Sequence, residues 1–290
     1  MSTTATIAVT DDIKNILSRL AHLSLHGKIS DLQQVLEFLK HPSEEIKNLA
    51  TTTASAIIKE NLITNYRVME KGVREKLVQL LESLHPRVID EISHDLYSDS
   101  HERRLATIQV LGLLKKNPRI KDILATLIKD RDVKVRATAV HLLGKIIGPH
   151  DFDIILSLLN DSDKRVRANT IEGLEQVNNK RLLPVLLRFR KDPNNRIRGN
   201  ILKAMYNLGF VEIEADLIGM LSNSSDLMKA SALWVVAQIK YSTTKIIDAA
   251  GRAMLSENEM VTRNAQNALV AIATPRAQGY LRYLKMHSHH

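Results

Sequence analysis

The chain has 290 residues, a formal net charge of +9 and no cysteine. The absence of cysteine excludes disulfides, thiolate catalysis and any metal centre that cysteine would ligate. Apolar residues make up 44% of the chain, but aromatic residues only 4%, and Leu, Ile, Ala and Lys are frequent. This composition predicts a continuous core built from helices rather than sheets.

In chain order, the first predicted element is an N-terminal segment, residues 1–29, with a capping helix. Residues 1–10 lack the basic and apolar stretches of a signal peptide, and no apolar run approaches 18 residues. We therefore expect a cytoplasmic protein without membrane insertion. Residues 30–272 form a repeat array, and residues 273–290 a C-terminal capping helix with a flexible tail.

The repeat array shows a period of 31 residues in the centre of the chain. A string with Asp first, Val or Ile five residues later and Arg directly after that recurs three times, and a weaker copy starts at Asn223. Each copy joins a short apolar segment to a longer amphipathic one, which predicts two antiparallel helices per repeat. The three strings begin at Asp130, Asp161 and Asp192.

The turn and second helix of each repeat resemble the HEAT consensus, and residues 161–174 match it closely. The resemblance covers nearly the whole chain. It implies an all-α fold, a right-handed, armadillo-type α-solenoid of about eight HEAT-like helix pairs. Because HEAT proteins share a scaffold and no common reaction, the resemblance says little about function.

The resemblance also implies that second helices line a concave face where partners bind. We number each second helix from its Val or Ile as position 0, and the matching positions elsewhere are Ile46, Val73, Arg103 and Val261. Positions 0, 4, 5, 7, 8 and 11 form one apolar arc, and positions 3, 6 and 10 point away from it. They carry mostly amides and hydroxyls, which suit hydrogen bonding to an extended peptide. The predicted partner-binding residues are His141, Asn169, Glu172, Asn200, Lys203, Asn207, Ser231, Trp234, Gln238, Asn264 and Asn267.

Trp234 is the only tryptophan, and it occupies a position that is polar in every other repeat. Two interpretations stay open from the sequence. Either a loop or the terminal helix covers the ring, which makes it part of the core, or the ring is an exposed anchor for a partner.

The arginine that follows position 0 is interpreted as structural. It lies six residues after the repeat's Asp, which the HEAT resemblance implies is its partner. Bonds from the arginine to that carboxylate and to carbonyl groups of the turn would fix the angle between the two helices. The predicted turn pairs are Asp130 with Arg136, Asp161 with Arg167, and Asp192 with Arg198.

The charge is uneven. Residues 101–203 hold 22 Lys and Arg against 11 Asp and Glu, so the positive excess lies in the middle third. We interpret this region as a solvated helical surface or as a docking patch for an acidic partner, protein or nucleic acid.

The sequence predicts no catalytic residues, no cofactor and no metal site. Its eleven histidines form no His-Glu-x-x-His motif, and a single His-Glu pair, at residues 101–102, excludes the repeated pairs of the HEAT-like deoxyhypusine hydroxylases. The predicted function is a non-catalytic protein-binding scaffold or adaptor. The first alternative is a nucleic-acid-binding solenoid that uses residues 101–203, and the second is a HEAT-type lyase or alkylpurine DNA glycosylase.

Overall fold

The computed structural model describes residues 2–84, 87–114 and 117–287, and every regular element in these ranges is helical, as predicted. Short 3-10 turns precede or extend several first helices, at residues 29–31, 38–40, 94–97, 157–160 and 180–182. The α-helices are α1 (Ser2–His26), α2 (Leu32–Glu37), α3 (Glu44–Asn65), α4 (Lys71–Leu84), α5 (Val88–Ser93), α6 (His101–Leu111), α7 (Arg119–Leu127), α8 (Val133–Leu143), α9 (Asp153–Leu156), α10 (Lys164–Val177), α11 (Leu183–Phe189), α12 (Asn195–Asn207), α13 (Glu214–Leu221), α14 (Asp226–Ile239), α15 (Thr244–Ala253), α16 (Glu259–Ile272) and α17 (Pro275–His287).

The helices form two compact units, Met1–Ala139 and Val140–His290. In the second unit the long second helices α10, α12, α14 and α16 pack side by side, each against the next, as in an α-solenoid. The first helices α11, α13 and α15 pack against the second helix of the same repeat. Position 0 of each second helix is fully buried or nearly so, which confirms the register read from the sequence; these anchors are Val166, Ile197, Met228 and Val261.

In the first unit, helix α4 departs from the repeat plan. The sequence matched Val73 to position 0, but Val73 is 45% exposed, whereas Ile46 at the start of α3 is fully buried. Helix α4 packs chiefly on α3, and α3 packs directly against α6. In the first unit α1, α3 and α6 therefore stack in that order, with α4 beside α3.

The aspartates of the repeated strings shape the turns through their carboxylates. The Oδ1 atom of Asp161 accepts a hydrogen bond from the backbone N of Asp163 at 2.8 Å, and Asp163 in turn accepts from the backbone N of Arg165 at 2.7 Å. The first bond closes an Asx turn and the second caps α10. The same two steps recur from Asp130 through Asp132 and from Asp192 through Asn194. This explains the Asp-x-Asp/Asn spacing in the sequence.

The cap of α10 should depend on pH. The Arg165 side chain donates to the Asp163 carboxylate, and this bond, together with the backbone bonds, lowers the pKa of Asp163 from about 3.8 to about 2. Because the folded pKa is depressed, the stabilisation is complete above the unfolded pKa and is lost as the pH falls towards 2. We expect the difference in unfolding free energy between the wild type and Asp163→Asn to shrink between pH 5 and pH 2. Urea denaturation at each pH measures it, and a constant difference would contradict the assignment.

Two glycines allow the second unit to pack tightly. A Cβ atom on Gly173 of α10 would lie 3.0 Å from the Cα of Gly144, and one on Gly144 would lie 2.5 Å from the Cα of Gly173. The two backbones are therefore in direct contact, and a side chain at residue 144 would force them apart.

Near the C-terminal end of the array, α16 is polar and exposed where α14 is buried, and α17 is bonded to α15. On α14 the positions that face the next second helix are the buried Ala230 and Leu233, whereas α16 has the exposed Arg263 and Gln266 there. Helix α17 is held to α15 by Arg276, which donates to both carboxylate oxygens of Asp248 at 2.6 and 2.8 Å and lowers the pKa of that carboxyl.

Across the described ranges, none of the helices combines the length and apolar character that crossing a lipid bilayer requires. The division into 1–29, 30–272 and 273–290 read from the sequence differs from the two compact units and stays a prediction.

Candidate functional site

The polar positions of the second helices form a continuous surface in the second unit. We call the residues at positions 3, 6 and 10 of α10, α12, α14 and α16, together with Glu175, the strip. Because these helices pack side by side, equivalent positions on neighbouring helices lie next to each other. The strip is accordingly crossed by hydrogen bonds that run from one helix to the next.

Between α10 and α12, Glu172 is the shared acceptor. Its Oε1 atom accepts from Asn200 Nδ2 at 2.9 Å and from Arg196 Nη2 at 2.8 Å. Asn200 was predicted to bind a partner, but it is only 3% exposed. We therefore assign Asn200 to positioning Glu172, whose side chain reaches the surface.

Glu175, three residues further along α10, is also an acceptor for side chains of α12. It accepts from Asn207 Nδ2 at 2.7 Å and pairs with Lys203 Nζ at 3.0 Å. The Lys203 ammonium also lies 5.2 Å from the centre of the Trp234 ring, within the range of a cation–π contact. A chain of contacts thus joins α10, α12 and α14 across the strip.

The amides and hydroxyls nearer the helix N-termini are also used between helices. Asn195 donates from Nδ2 to Ser231 Oγ at 2.7 Å, linking α12 to α14. Asn264 donates from Nδ2 to the carbonyl oxygen of Ala230 at 3.1 Å, linking α16 to α14. Ser231 and Asn264 therefore brace the array in addition to any contact with a partner.

Trp234 combines features of both interpretations that the sequence left open. The ring is half-buried and packs against the hydrophobic core that contains Leu233 and Val235. Trp234 also lines an open depression of about 690 Å³. The depression is also lined by Glu172, Glu175, Gln176, Asn178, Asn200, Lys203 and Asn207.

The remaining predicted residues divide by exposure. His141 and Asn169 are half-buried, and Gln238 and Asn267 are exposed. Glu175 was missed by the sequence reading, although it organises the centre of the strip. It occupies position 9, about 60° around the helix from position 6, so the register contained the signal.

The predicted turn pairs meet through carbonyl groups. Arg167 Nη1 donates to the carbonyl oxygens of Asp161 at 2.7 Å and of Ser162 at 3.1 Å, and Arg136 does the same with Asp130 at 2.9 Å. Hence the contact follows the predicted spacing, but the acceptor is the peptide group, while the Asp161 carboxylate forms the Asx turn.

Arg198 follows a different pattern from the other turn arginines. Its Nη2 atom lies 4.0 Å from the buried carboxylate of Asp216 on α13, and Arg190 approaches the same carboxylate at 3.5 Å. The predicted partner Asp192 accepts from the backbone N of Asn194 at 2.7 Å.

Removing the turn arginine should destabilise the fold. Arg167→Ala leaves two carbonyl oxygens without their donor, so we expect the unfolding free energy to fall by roughly 1–3 kcal/mol. Urea denaturation measures the effect. Lys164→Ala, at an exposed position of the same helix, is the matched control and should change little. Equal midpoints for Arg167→Ala and the wild type would contradict this role.

Within the described part of the chain, no group of three or more His, Asp or Glu side chains is arranged to hold a metal ion. The strip offers two carboxylates, but Glu172 is bonded to Arg196 and Glu175 to Lys203. The strip thus carries hydrogen-bonding groups, paired charges and one aromatic ring.

The comparison with protein families matches residues 89–160 and 152–221 to HEAT repeats. No curated protein sequence matches the chain significantly.

Three solved structures illustrate the likeness in fold. The complex of CpcE and CpcF of phycocyanin lyase from Nostoc sp. PCC7120 is 15% identical, with 88% of this chain and 94% of that chain covered and a TM-score of 0.46. Human deoxyhypusine hydroxylase is 20% identical, with 82% and 92% covered and a TM-score of 0.36. The Kap95p structure with RanGDP is 12% identical, with 88% and 38% covered and a TM-score of 0.48.

Proposed function

The chain is a HEAT-repeat protein, and from that premise we propose that it is a non-catalytic scaffold that binds another protein through the strip on α10, α12, α14 and α16. The observation that carries the proposal is Trp234 beside an open depression of about 690 Å³. A half-buried aromatic ring on a polar surface is typical of a binding hot spot.

The hydrogen bonds and ion pairs between the helices of the strip support the same proposal. Lys203, Asn207 and Glu175 hold one another in place across two helices before any partner arrives. A surface that is already ordered loses little conformational entropy on binding, so more of the contact energy appears as affinity. The exposed amides of Gln176, Gln238 and Asn267 supply hydrogen-bonding groups around the ring.

Site-specific photo-crosslinking tests the proposal. A benzophenone amino acid at Asn207, on the exposed edge of the depression, is compared with one at Arg188, an exposed position on α11. In a lysate of the native host, the proposal expects one defined protein band from position 207 that is absent from position 188. Equal labelling from both positions, or none from position 207, would count against the strip.

A second candidate is supported by the charge distribution. Residues 101–203 carry 22 basic against 11 acidic residues, which suits a nucleic-acid backbone. Phosphate contacts release counterions, so this candidate expects an oligonucleotide affinity that falls steeply between 50 and about 200 mM salt. Binding of a labelled duplex and a labelled single strand across that range distinguishes the two functions. The cytoplasmic location read from the sequence stays a prediction.

A further inference from the structure

A row of exposed side chains runs along one edge of the strip. It consists of the residues at position −1, directly before the buried anchor, on four successive second helices. The side chains of Arg165 and Arg196 are 51% and 56% exposed, and Leu227 and Met260 are 55% and 39% exposed. We call these four residues the edge row.

The edge row borders the strip directly. Position −1 lies about 20° around the helix from position 6, at the N-terminal end. The hydrogen bond from Arg196 to Glu172, a position 6 residue of the neighbouring helix, places the two sets in contact. A partner lying in the strip would therefore meet the edge row as well.

The chemistry of the edge row changes halfway. Its first two members are cationic and its last two are apolar. The change coincides with the end of the basic region, because residues 204–290 hold 8 basic and 7 acidic residues, against 22 and 11 in residues 101–203. Leu227 and Met260 are exposed apolar side chains at equivalent positions of adjacent repeats, where the preceding repeats have arginine, so this part of the edge row can contact apolar groups of a partner.

We propose that the edge row binds an extended segment of a partner protein with acidic side chains at one end and apolar side chains at the other. This inference rests on the proposed function and specifies the partner of the same site. A guanidinium carries five N–H donors in a planar fork that matches the geometry of a carboxylate. Arg165 and Arg196 are each about half exposed, so they can pair with carboxylates of the segment. Leu227 and Met260 bury their side chains against its apolar end.

The distance between neighbouring second helices specifies the spacing of acidic and apolar residues in the bound segment. Packed helices lie about 8–10 Å apart. A polyproline-II segment returns to the same face every three residues, after about 9 Å. The expected partner therefore has acidic residues at i and i+3 and apolar residues at i+6 and i+9. A nucleic acid fits less well, because its phosphates continue past Arg196 to positions where Leu227 and Met260 offer no cation.

A synthetic peptide tests this pattern on the full chain. The probe is a fluorescein-labelled 12-residue peptide with Glu at positions 2 and 5, Leu at positions 8 and 11, and Pro, Ser or Ala between them. The control peptide has the same composition with Glu and Leu alternating over the four positions. By fluorescence anisotropy we expect a Kd below about 100 μM for the probe and at least roughly tenfold weaker binding of the control.

Matched variants assign the binding to the edge row. Arg196→Gln and Leu227→Ser should each weaken the probe at least roughly fivefold. Arg188→Gln and Val211→Ser, at exposed positions outside the row, should leave its affinity unchanged. Circular dichroism and the thermal midpoint of each variant confirm that it is folded, and Arg196→Lys, which keeps the charge, should retain more affinity than Arg196→Gln.

Three outcomes would overturn the proposal: equal affinity for both peptides, no loss in the edge-row variants, or tighter binding of a single-stranded oligonucleotide that the same variants weaken. If the probe fails while position 207 still crosslinks to one protein, the partner chemistry is wrong and the proposed scaffold function stands. If position 207 gives no defined crosslink, the scaffold function fails irrespective of the peptide.

Discussion

Arg104→Ala is expected to lower the unfolding free energy by about 3–5 kcal/mol, a large fraction of the stability of a typical domain. Arg104 Nη1 donates to the carbonyl oxygens of Ser98 at 2.9 Å and Asp99 at 3.2 Å, and Nη2 contacts Asp130 Oδ1 at 3.3 Å. The side chains of Arg104 and Asp130 are only 6% and 12% exposed. Truncation would leave two carbonyl groups without this donor and would remove the cation from the poorly hydrated Asp130 carboxylate, which keeps the backbone N–H of Asp132 as a donor.

The neighbouring pair of Arg131 and Asp99 provides the matched control. Both side chains are exposed and their charged atoms are 3.8 Å apart. Because water and salt screen such pairs, Arg131→Ala should cost no more than about 1 kcal/mol. Urea denaturation of both variants at pH 7 measures the contrast. Similar losses in the two variants would mean that Arg104 does not act as a buried link between successive turns.

Arg104 also shows which contact the repeated arginine makes in the folded protein. It directly follows the residue that the sequence matched to position 0, as Arg136 and Arg167 do, and all three donate to the carbonyls of their own turn. The spacing in the sequence was sufficient to predict that the arginine returns to the turn. It could not distinguish carboxylate from carbonyl acceptors, because both belong to the same few residues and differ only in backbone geometry.

Helix α4 shows what the sequence periodicity could not predict, which is the position of a helix in the stack. Its Leu81 is buried at the predicted position 8, so the local pattern correctly predicts an amphipathic helix. The exposed Val73 shows that this helix lies outside the stack of second helices. Periodicity reports which face of a helix is buried, whereas the identity of the neighbour that covers it depends on turn lengths and on competition between helices for the same surface.

The sequence predicted which residues share the surface of the strip, but it did not predict the hydrogen bonds that connect them. Counting in steps of 100° placed the polar positions on one face, and the contacts between α10, α12 and α14 agree with that register. The sequence could not reveal that Asn200 is used beneath the surface, because its hydrogen bond goes to Glu172 of a different helix. It likewise could not reveal the bonds that Glu175 accepts.

Trp234→Ala should affect both stability and binding. The ring is half-buried against the core, so we expect the unfolding free energy to fall by about 2 kcal/mol, less than the 3–5 kcal/mol typical of a fully buried tryptophan. Under the scaffold proposal the same substitution should weaken partner binding by about 2 kcal/mol or more, because it removes the aromatic wall of the depression. Denaturation and affinity measurements are made on the same preparation.

Two controls separate the two effects of Trp234. Leu233→Ala, at a fully buried position of the same helix, should lose about 2–5 kcal/mol of stability while the folded fraction retains its affinity. Lys203→Met removes the cation over the ring and keeps its apolar stem, so it should alter binding more than stability. Acrylamide should quench the tryptophan fluorescence of the free protein, and a bound partner should reduce that quenching. A ring that acrylamide cannot reach in the free protein would place Trp234 in the core and remove it from the site.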